Sequence, residues 1–163
     1  SIAVQPGGAF GGEALSVQPV VRVTDILGNN LVEGDLASTA VTATLTTESN
    51  PWEGSVRNGI QTAVRGVVNY AGMSVDKYGY CYMMRFSAPG FDPVDSSPFE
   101  VSIGPPTSLS VSTQPGSFRP GYTFGVLPVV SIVDRGGNVV ALDALNDRIQ
   151  VSLMQHNTTA AAT

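Results

Sequence analysis

The most constraining feature of the sequence is an internal repeat, in which three short motifs return in the same order 109 residues further along the chain. The repeated pairs are Gln5-Pro6-Gly7 with Gln114-Pro115-Gly116, Pro19-Val20-Val21 with Pro128-Val129-Val130, and Asp25-x-x-Gly28-Asn29 with Asp134-x-x-Gly137-Asn138. Such a period is longer than the roughly 20 to 50 residues of solenoid and propeller units, and it matches a β-sandwich domain of about 100 residues. The sequence therefore predicts that each repeat is one domain.

The repeat also sets the predicted domain boundaries. The first domain covers residues 1–103, residues 104–106 (Gly-Pro-Pro) form a short linker, and residues 107–163 are the N-terminal half of a second domain. The linker is expected to be stiff, because proline restricts its own φ and the residue before it. A half-sandwich leaves a core face and strand edges uncovered, so we expect the intact protein to continue beyond Thr163. The start at Ser1, without an initiator methionine, is typical of a piece of a longer chain.

Composition and alternation both favour strands over helices. The chain has 18 glycines and 11 prolines and only 13% charged residues, which is typical of short strands joined by tight turns. Alternating apolar and polar residues predict about seven strands in the first domain, at 20–24, 41–46, 54–57, 60–67, 67–70, 80–86 and 99–103. The fold class is therefore predicted to be all-β, with about seven antiparallel strands in each sandwich and the second sandwich incomplete.

Turn residues separate these strands. Asp25 and Asp134 each begin a turn in which the carboxylate can accept hydrogen bonds from backbone amides, and the following glycine and asparagine tolerate positive φ. Asn58-Gly59 is the strongest two-residue hairpin signal in the chain, and it predicts that segments 54–57 and 60–67 pair with each other.

The predicted strand at 80–86 has two faces. Tyr80, Tyr82, Met84 and Phe86 alternate on one face, which we expect to be the core face. Cys81 lies on the opposite face, where it is expected to be a small buried residue.

Charge and hydropathy exclude several kinds of partner. The chain has 13 acidic and 8 basic residues, for a net charge of -5, and the basic residues are scattered singly, so no stripe of positive charge exists for nucleic acid. Apolar runs fall far short of the roughly 20 residues that cross a bilayer, and no basic amphipathic segment suits a membrane surface. No nucleic acid and no membrane contact are therefore predicted for this segment.

The order of the motifs resembles a known family. The residues that carry it are Gln5-Pro6-Gly7, Pro19-Val20-Val21, Asp25-x-x-Gly28-Asn29, Asn58-Gly59, Gly72-Met73-Ser74-Val75-Asp76, Gly79-Tyr80, Ala88-Pro89-Gly90 and Ser97-x-Phe99. Together they resemble the immunoglobulin-like repeats of giant extracellular or cell-surface proteins, such as bacterial adhesins and the flagellar-hair (mastigoneme) proteins of algae. The match covers the whole chain, through one full unit and half of another. Antibody-type domains differ, because they need paired cysteines with a tryptophan between them.

This resemblance implies a location and a set of partners. Such repeats are extracellular or at the cell surface, and they act as spacers, stalks or filament-building modules. The implied partners are neighbouring immunoglobulin-like repeats of the same chain and other copies or other subunits in a fibre. Sandwich modules host unrelated activities, so the resemblance specifies the fold and the tandem arrangement better than the function.

No catalytic site, metal or cofactor is predicted. Nucleophilic catalysis needs a base near a serine or cysteine, and the one histidine, His156, falls in the incomplete second repeat. Calcium prefers six to eight oxygen ligands, and the candidate carboxylates Asp25, Asp92, Asp95 and Asp134 show neither Asp-x-Asp nor EF-hand spacing. We therefore predict that the chain is not an enzyme.

Five residues are candidates for contacts or modification. Trp52 is either a plug at the end of the sandwich or an exposed aromatic residue for a sugar or a partner, and plugging is favoured. Phe91 and Phe118 are expected to pack across the domain junction. Cys81, the single cysteine, is the candidate intermolecular thiol if it is not buried. Asn157 begins an Asn-Thr-Thr sequon and is the candidate glycosylation site.

Two functions fit these features. The first is a structural spacer or filament-building module that acts by stiff tandem packing of its domains. The alternative is an adhesive module, in which loops 49–55 and 88–98 present Trp52 and Phe91 to a glycan or a protein receptor.

Overall fold

The computed structural model describes residues 1–117, 119–141 and 149–152. The described part is all-β, as predicted, apart from two short 3-10 helices at Asp35–Ser38 and Thr47–Ser49. The strands are β1 (Ile2–Val4), β2 (Ala9–Phe10), β3 (Val20–Arg22), β4 (Ala40–Leu45), β5 (Val56–Arg57), β6 (Ile60–Thr62), β7 (Val67–Asn69), β8 (Ser74–Val75), β9 (Gly79–Tyr82), β10 (Met84–Ser87), β11 (Val94–Asp95), β12 (Phe99–Ser102), β13 (Ser108–Thr113) and β14 (Val129–Val133). Residues 1–103 thus contain twelve short strands in place of about seven longer ones.

The strands form several sheets, with the orders β1-β3-β7, β11-β10-β4-β6, β2-β12-β9, β5-β8 and β13-β14. In the described residues the pairs are antiparallel, except that β2 runs parallel to β12, and for this pair the antiparallel prediction is wrong. The reason is that the N-terminal segment changes sheets: β1 pairs with β3, whereas β2 pairs with β12. Pro6 lies at this change, where a residue without an N–H interrupts the ladder.

The sheets of residues 1–103 enclose one hydrophobic core in a sandwich-like arrangement. Inward side chains of different sheets form a single buried cluster, and the strand residues at its centre include Val21, Val68, Ala43, Met84, Phe86, Tyr82 and Val101. Tyr70 follows β7 and ties two sheets together, because its hydroxyl donates a 2.9 Å hydrogen bond to the carbonyl oxygen of Val41 in β4. Burial raises the pKa of Tyr70, so its hydroxyl stays protonated and remains a donor.

The predicted strand at 80–86 is divided between two sheets. In β9, Tyr82 pairs with Phe99 and Gly79 pairs with Val101 of β12. Two residues of β9 therefore lie opposite one residue of β12, which is a β-bulge. Cys81 lies within this bulge and adopts a φ of 59°. The bulge shifts the alternation, so that Tyr80 is 58% exposed and Cys81 is also exposed. The core position predicted for Tyr80 and the burial predicted for Cys81 are therefore both wrong.

The hairpin predicted at Asn58-Gly59 is also wrong. Asn58 does adopt a positive φ of 54°, but β5 pairs with β8 and β6 pairs with β4, so the flanking strands belong to different sheets. The Asn58 side chain instead donates a hydrogen bond of 2.8 Å to the carbonyl oxygen of Gly72. The long strand predicted at 60–67 ends at Thr62, because the chain reverses between Val64 and Val67.

The link between sheets that Tyr70 provides can be tested by Tyr70→Phe. Removing one hydrogen bond made by a buried hydroxyl should lower the free energy of unfolding by roughly 1–2 kcal/mol, measured by urea denaturation. Tyr80→Phe is the matched control, because Tyr80 is 58% exposed, and its change should be close to zero. Equal effects of the two substitutions would contradict the role given to the Tyr70 hydroxyl.

Candidate functional site

The third repeated motif builds the same turn twice. In the first turn, Asp25 Oδ1 accepts hydrogen bonds from the backbone amides of Leu27 (2.9 Å) and Asn29 (2.8 Å), and the Asn29 side chain donates to Asp25 Oδ2 (3.0 Å). In the second turn, Asp134 Oδ1 accepts from the amides of Gly136 (2.9 Å) and Asn138 (2.8 Å). The Asn138 side chain completes the pattern by donating to Asp134 Oδ2 at 3.0 Å. The Asp-led turns predicted from the sequence are confirmed.

The first turn, residues 25–29, lies on the surface. The side chains of Ile26 and Leu27 are 101% and 83% exposed. Hydrogen bonds from the side chain and the backbone amide of Asn29 lower the pKa of Asp25, so this carboxyl is ionised at neutral pH.

The second turn, residues 134–138, is buried against the earlier part of the chain, and we call it the Asp134 turn. Asp134 and Asn138 are only 1% and 5% exposed. The surface that receives the turn is called the seat and consists of Gly11, Gly12, Asp76, Lys77, Tyr78 and Gly104. The same local motif is therefore a surface loop in one repeat and a contact element in the other.

Four hydrogen bonds join the Asp134 turn to the seat. Asp134 Oδ2 accepts from the backbone amide of Gly104 at 2.9 Å. Asn138 uses both ends of its side chain: its Nδ2 donates to the Asp76 carbonyl oxygen at 2.8 Å, and its Oδ1 accepts from the Tyr78 amide at 3.1 Å. Lys77 Nζ donates to the Gly136 carbonyl oxygen at 3.2 Å.

The electrostatics of Asp134 follow from these contacts. Burial raises the pKa of Asp134, but the amide of Gly104, the side chain and amide of Asn138, and the amide of Gly136 together hold the pKa below its ordinary value. The carboxylate is therefore charged at neutral pH. Hydrogen bonds to a charged group are stronger than neutral ones, so the bond from the Gly104 amide to this buried anion is expected to be stronger than the neutral bonds made by Asn138.

The side chains of the Asp134 turn pack closely against Gly11 of the seat. A Cβ atom at Gly11 would lie 2.7 Å from the Asp76 carbonyl oxygen and 2.8 Å from Asp134 Oδ2, and glycine is therefore needed there. Tyr82 stabilises the seat, because its hydroxyl donates a 3.3 Å hydrogen bond to the carbonyl oxygen of Lys77. Burial, and then the charge of Asp76, raises the pKa of Tyr82 to about 12, so the donor proton is retained.

The residues after the predicted linker form a two-stranded ribbon that ends next to the Asp134 turn. Strands β13 and β14 form an antiparallel ribbon from Ser108 to Val133, and the Thr107 amide donates to the Val133 carbonyl oxygen at 2.9 Å. Val133 immediately precedes the Asp134 turn and is 6% exposed. The end of β14 and the Asp134 turn therefore lie beside Gly104, the first residue of the predicted linker.

The predicted contact residues lie elsewhere. Trp52 is half-buried and packs edge-on against Tyr82 and Tyr80, with ring centroids 5.5 Å and 6.3 Å apart. Phe91 packs on the core in a groove that also includes Asp25 and Ile26, and none of the seat residues lines this groove. The structure thus places Phe91 beside the first turn and away from the Asp134 turn.

Other predicted residues have simpler settings. Cys81 is an exposed thiol on the bulge of β9. Phe118, Asn157 and His156 lie outside the described residues.

Acidic residues are not gathered into a metal site in the described ranges. Within residues 1–117, 119–141 and 149–152, no group of three or more histidine, cysteine or acidic side chains is arranged to hold a metal ion. Asp95 binds Arg85 through both carboxylate oxygens at 2.7 Å, and this lowers the pKa of Asp95.

The seat is the part of the site that sequence reasoning missed. Gly11, Lys77 and Tyr78 belong to no repeated motif, so nothing in the sequence connected them with the Asp134 turn. One signal was present: the second turn has Gly136 where the first has Leu27, although the aspartate, the glycine at the fourth position and the asparagine are repeated.

The charge of Asp134 predicts a specific dependence of stability on pH. Its pKa is lower in the folded chain than the roughly 3.9 of an unfolded aspartate, so its stabilising contribution is present above about pH 4 and is lost as the pH falls through the folded pKa. We expect Asp134→Asn to reduce the free energy of unfolding at pH 7, by roughly 1.5–3 kcal/mol for charge-assisted bonds.

Urea denaturation from pH 7 to pH 2.5 would test this. The difference between wild type and Asp134→Asn should shrink below pH 4. Asp25→Asn, in the exposed turn, is the matched control and should change stability much less at every pH. A gap between wild type and Asp134→Asn that stays constant as the pH falls would show that the charge is not the stabilising element.

Comparisons with known proteins do not assign the chain to a family. No protein-family model matches the sequence, and a search of curated proteins finds no significant match. In the described residues, no helix has the length and apolar character required to cross a membrane.

Proposed function

We propose that the chain is a structural spacer or filament-building module of a large extracellular or cell-surface protein. In this proposal residues 1–103 are an immunoglobulin-like sandwich, residues 104–106 are the linker, and residues 107–163 begin a second sandwich of the same kind. The observation that carries the proposal is the burial of the Asp134 turn, with a repeated motif of the second unit seated on the first unit.

The contact supports a fixed angle between the units. Its four hydrogen bonds come from separate parts of the first unit and its linker: the segment Asp76 to Tyr78 and the amide of Gly104. Pro105 and Pro106 follow directly and restrict the backbone further. A short linker that is itself hydrogen-bonded to the next unit favours a rigid arrangement of the two units over a flexible one. A rigid spacer acts by holding the segments on either side of it at a fixed distance.

The same design extends to assemblies. Neighbouring repeats of the same chain are the first partners, and other copies or other subunits in a fibre are the second. In the described part of the chain, β13 has one strand neighbour, β14, so this ribbon has open edges that further strands can cover.

Small-angle X-ray scattering tests the fixed angle. Asp134→Ala with Asn138→Ala removes the side chains that make three of the four hydrogen bonds to the seat, and we expect the maximum dimension to increase and the distance distribution to broaden. Asp25→Ala with Asn29→Ala is the matched control in the exposed turn and should leave the scattering curve unchanged. A wild-type chain that already scatters as a flexible pair would refute the spacer function.

One observation favours the alternative, an adhesive module. Tyr80 is 58% exposed beside the half-buried Trp52, and the pair forms an aromatic surface of the kind on which sugars stack.

Binding to a glycan array tests this alternative directly. If the aromatic surface is adhesive, Tyr80→Ala should abolish the signal while Tyr122→Ala, which removes a 77% exposed tyrosine elsewhere, should preserve it. Absence of binding by the wild-type chain would leave the spacer as the supported function.

A further inference from the structure

The two Asp-led turns differ at their second residue, where Ile26 and Arg135 are both exposed, and at their third residue, which is Leu27 in the first turn and Gly136 in the second. Both residues donate their amide to the first aspartate of the turn at 2.9 Å, so the two backbones are equivalent at this point. The first turn shows that leucine is compatible with this conformation. Glycine at position 136 is therefore not required by the turn itself.

The seat provides the reason for glycine. A Cβ atom at Gly136 would overlap the carbonyl oxygen of Asp76, and it would lie 2.8 Å from the carbonyl carbon of Gly11. Both neighbours are backbone atoms, which cannot rotate away as the end of a long side chain can. Any side chain at position 136 therefore collides with the seat.

The backbone of the seat is also held in place. Asp76 accepts a 2.6 Å hydrogen bond from the Ser55 amide through its carboxylate, and its own amide donates to the Ser55 carbonyl oxygen at 3.3 Å. On the other side, the amide of Gly12 donates to the Val75 carbonyl oxygen at 2.8 Å. Relief of the collision would require breaking these bonds or lifting the turn.

We infer that Gly136 is the specificity-determining residue of this contact: the seat accepts an Asp-led turn with glycine at its third position and rejects a turn with leucine there. The inference rests on the proposed function, since it names the residue that allows one unit to dock on the other. The partner that fits the seat is a turn of the form Asp-x-Gly-Gly-Asn. The first turn of a second copy of this chain is excluded by Leu27, although its other motif residues match.

This selectivity fixes the order of the units. Because the two turns share the aspartate, the glycine at the fourth position and the asparagine, hydrogen bonding to the seat does not distinguish them. The steric difference at one residue does, and it prevents copies of the chain from displacing the Asp134 turn with their own exposed turns.

Amide hydrogen exchange in the full chain tests the inference. The amides of Tyr78 and Gly104 donate to Asn138 and Asp134, so they report docking from the side of the seat. In Gly136→Leu, exchange at both amides should accelerate roughly tenfold or more, because native-state exchange follows local opening. Arg135→Leu adds the same side chain at the exposed neighbouring position and should leave both rates within about twofold of wild type.

Gly136→Ala separates the Cβ collision from side-chain bulk. It adds the overlapping Cβ atom and nothing more, so it should also accelerate exchange at Tyr78 and Gly104. The amide of Phe86, in the core strand β10, is the folding control and should keep its protection in all variants. Undiminished protection of Tyr78 and Gly104 in Gly136→Leu would overturn the inference, and so would an equal loss in Arg135→Leu.

The scattering experiment distinguishes this inference from the spacer function. Faster exchange in Gly136→Leu with an unchanged maximum dimension would uphold the specificity of the seat and refute the spacer. Unchanged exchange in Gly136→Leu would overturn the specificity of the seat. If the double variant Asp134→Ala with Asn138→Ala then shows a broadened distance distribution, the spacer function is upheld.

Discussion

The hydrogen bonds of the buried Asp134 carboxylate close the Asp134 turn and bind it to the backbone of Gly104. A carboxylate loses much hydration energy on burial, and it remains charged only where several donors replace the water. Here the donors come from Gly104 and from Gly136 and Asn138 in the turn itself. One charge therefore binds the Gly104 backbone and closes the turn.

A motif that closes a loop in one repeat thus serves as a docking element in the other. The internal hydrogen bonds of the two turns match, so docking adds contacts without changing the turn. What the second turn gains is a set of bonds to Asp76, Lys77 and Tyr78 and a close fit between backbones.

The wrong predictions for Tyr80, Cys81 and the Asn58-Gly59 hairpin have a common physical cause. Strands at 20–24, 41–46 and 99–103 were predicted approximately, because their alternation is local and each keeps one face to the core. Cys81 and Tyr80 were placed wrongly because the bulge in β9 depends on the register with Phe99 and Val101, which are distant in the sequence. The Asn58-Gly59 signal likewise gave the correct backbone conformation at Asn58 but the wrong strand pairing.

The sequence by itself determined the all-β class, the repeat and the two Asp-led turns. The turns could be predicted because their hydrogen bonds join residues at most four positions apart. Only the tertiary structure decided that Asp25 stays in solvent while Asp134 is buried. That difference depends on partners such as Asp76, which is 62 positions away from Asn138, and on the fit of Gly136 against its backbone. Local hydrogen bonding is encoded within a motif, whereas burial depends on which distant segments the fold brings beside it.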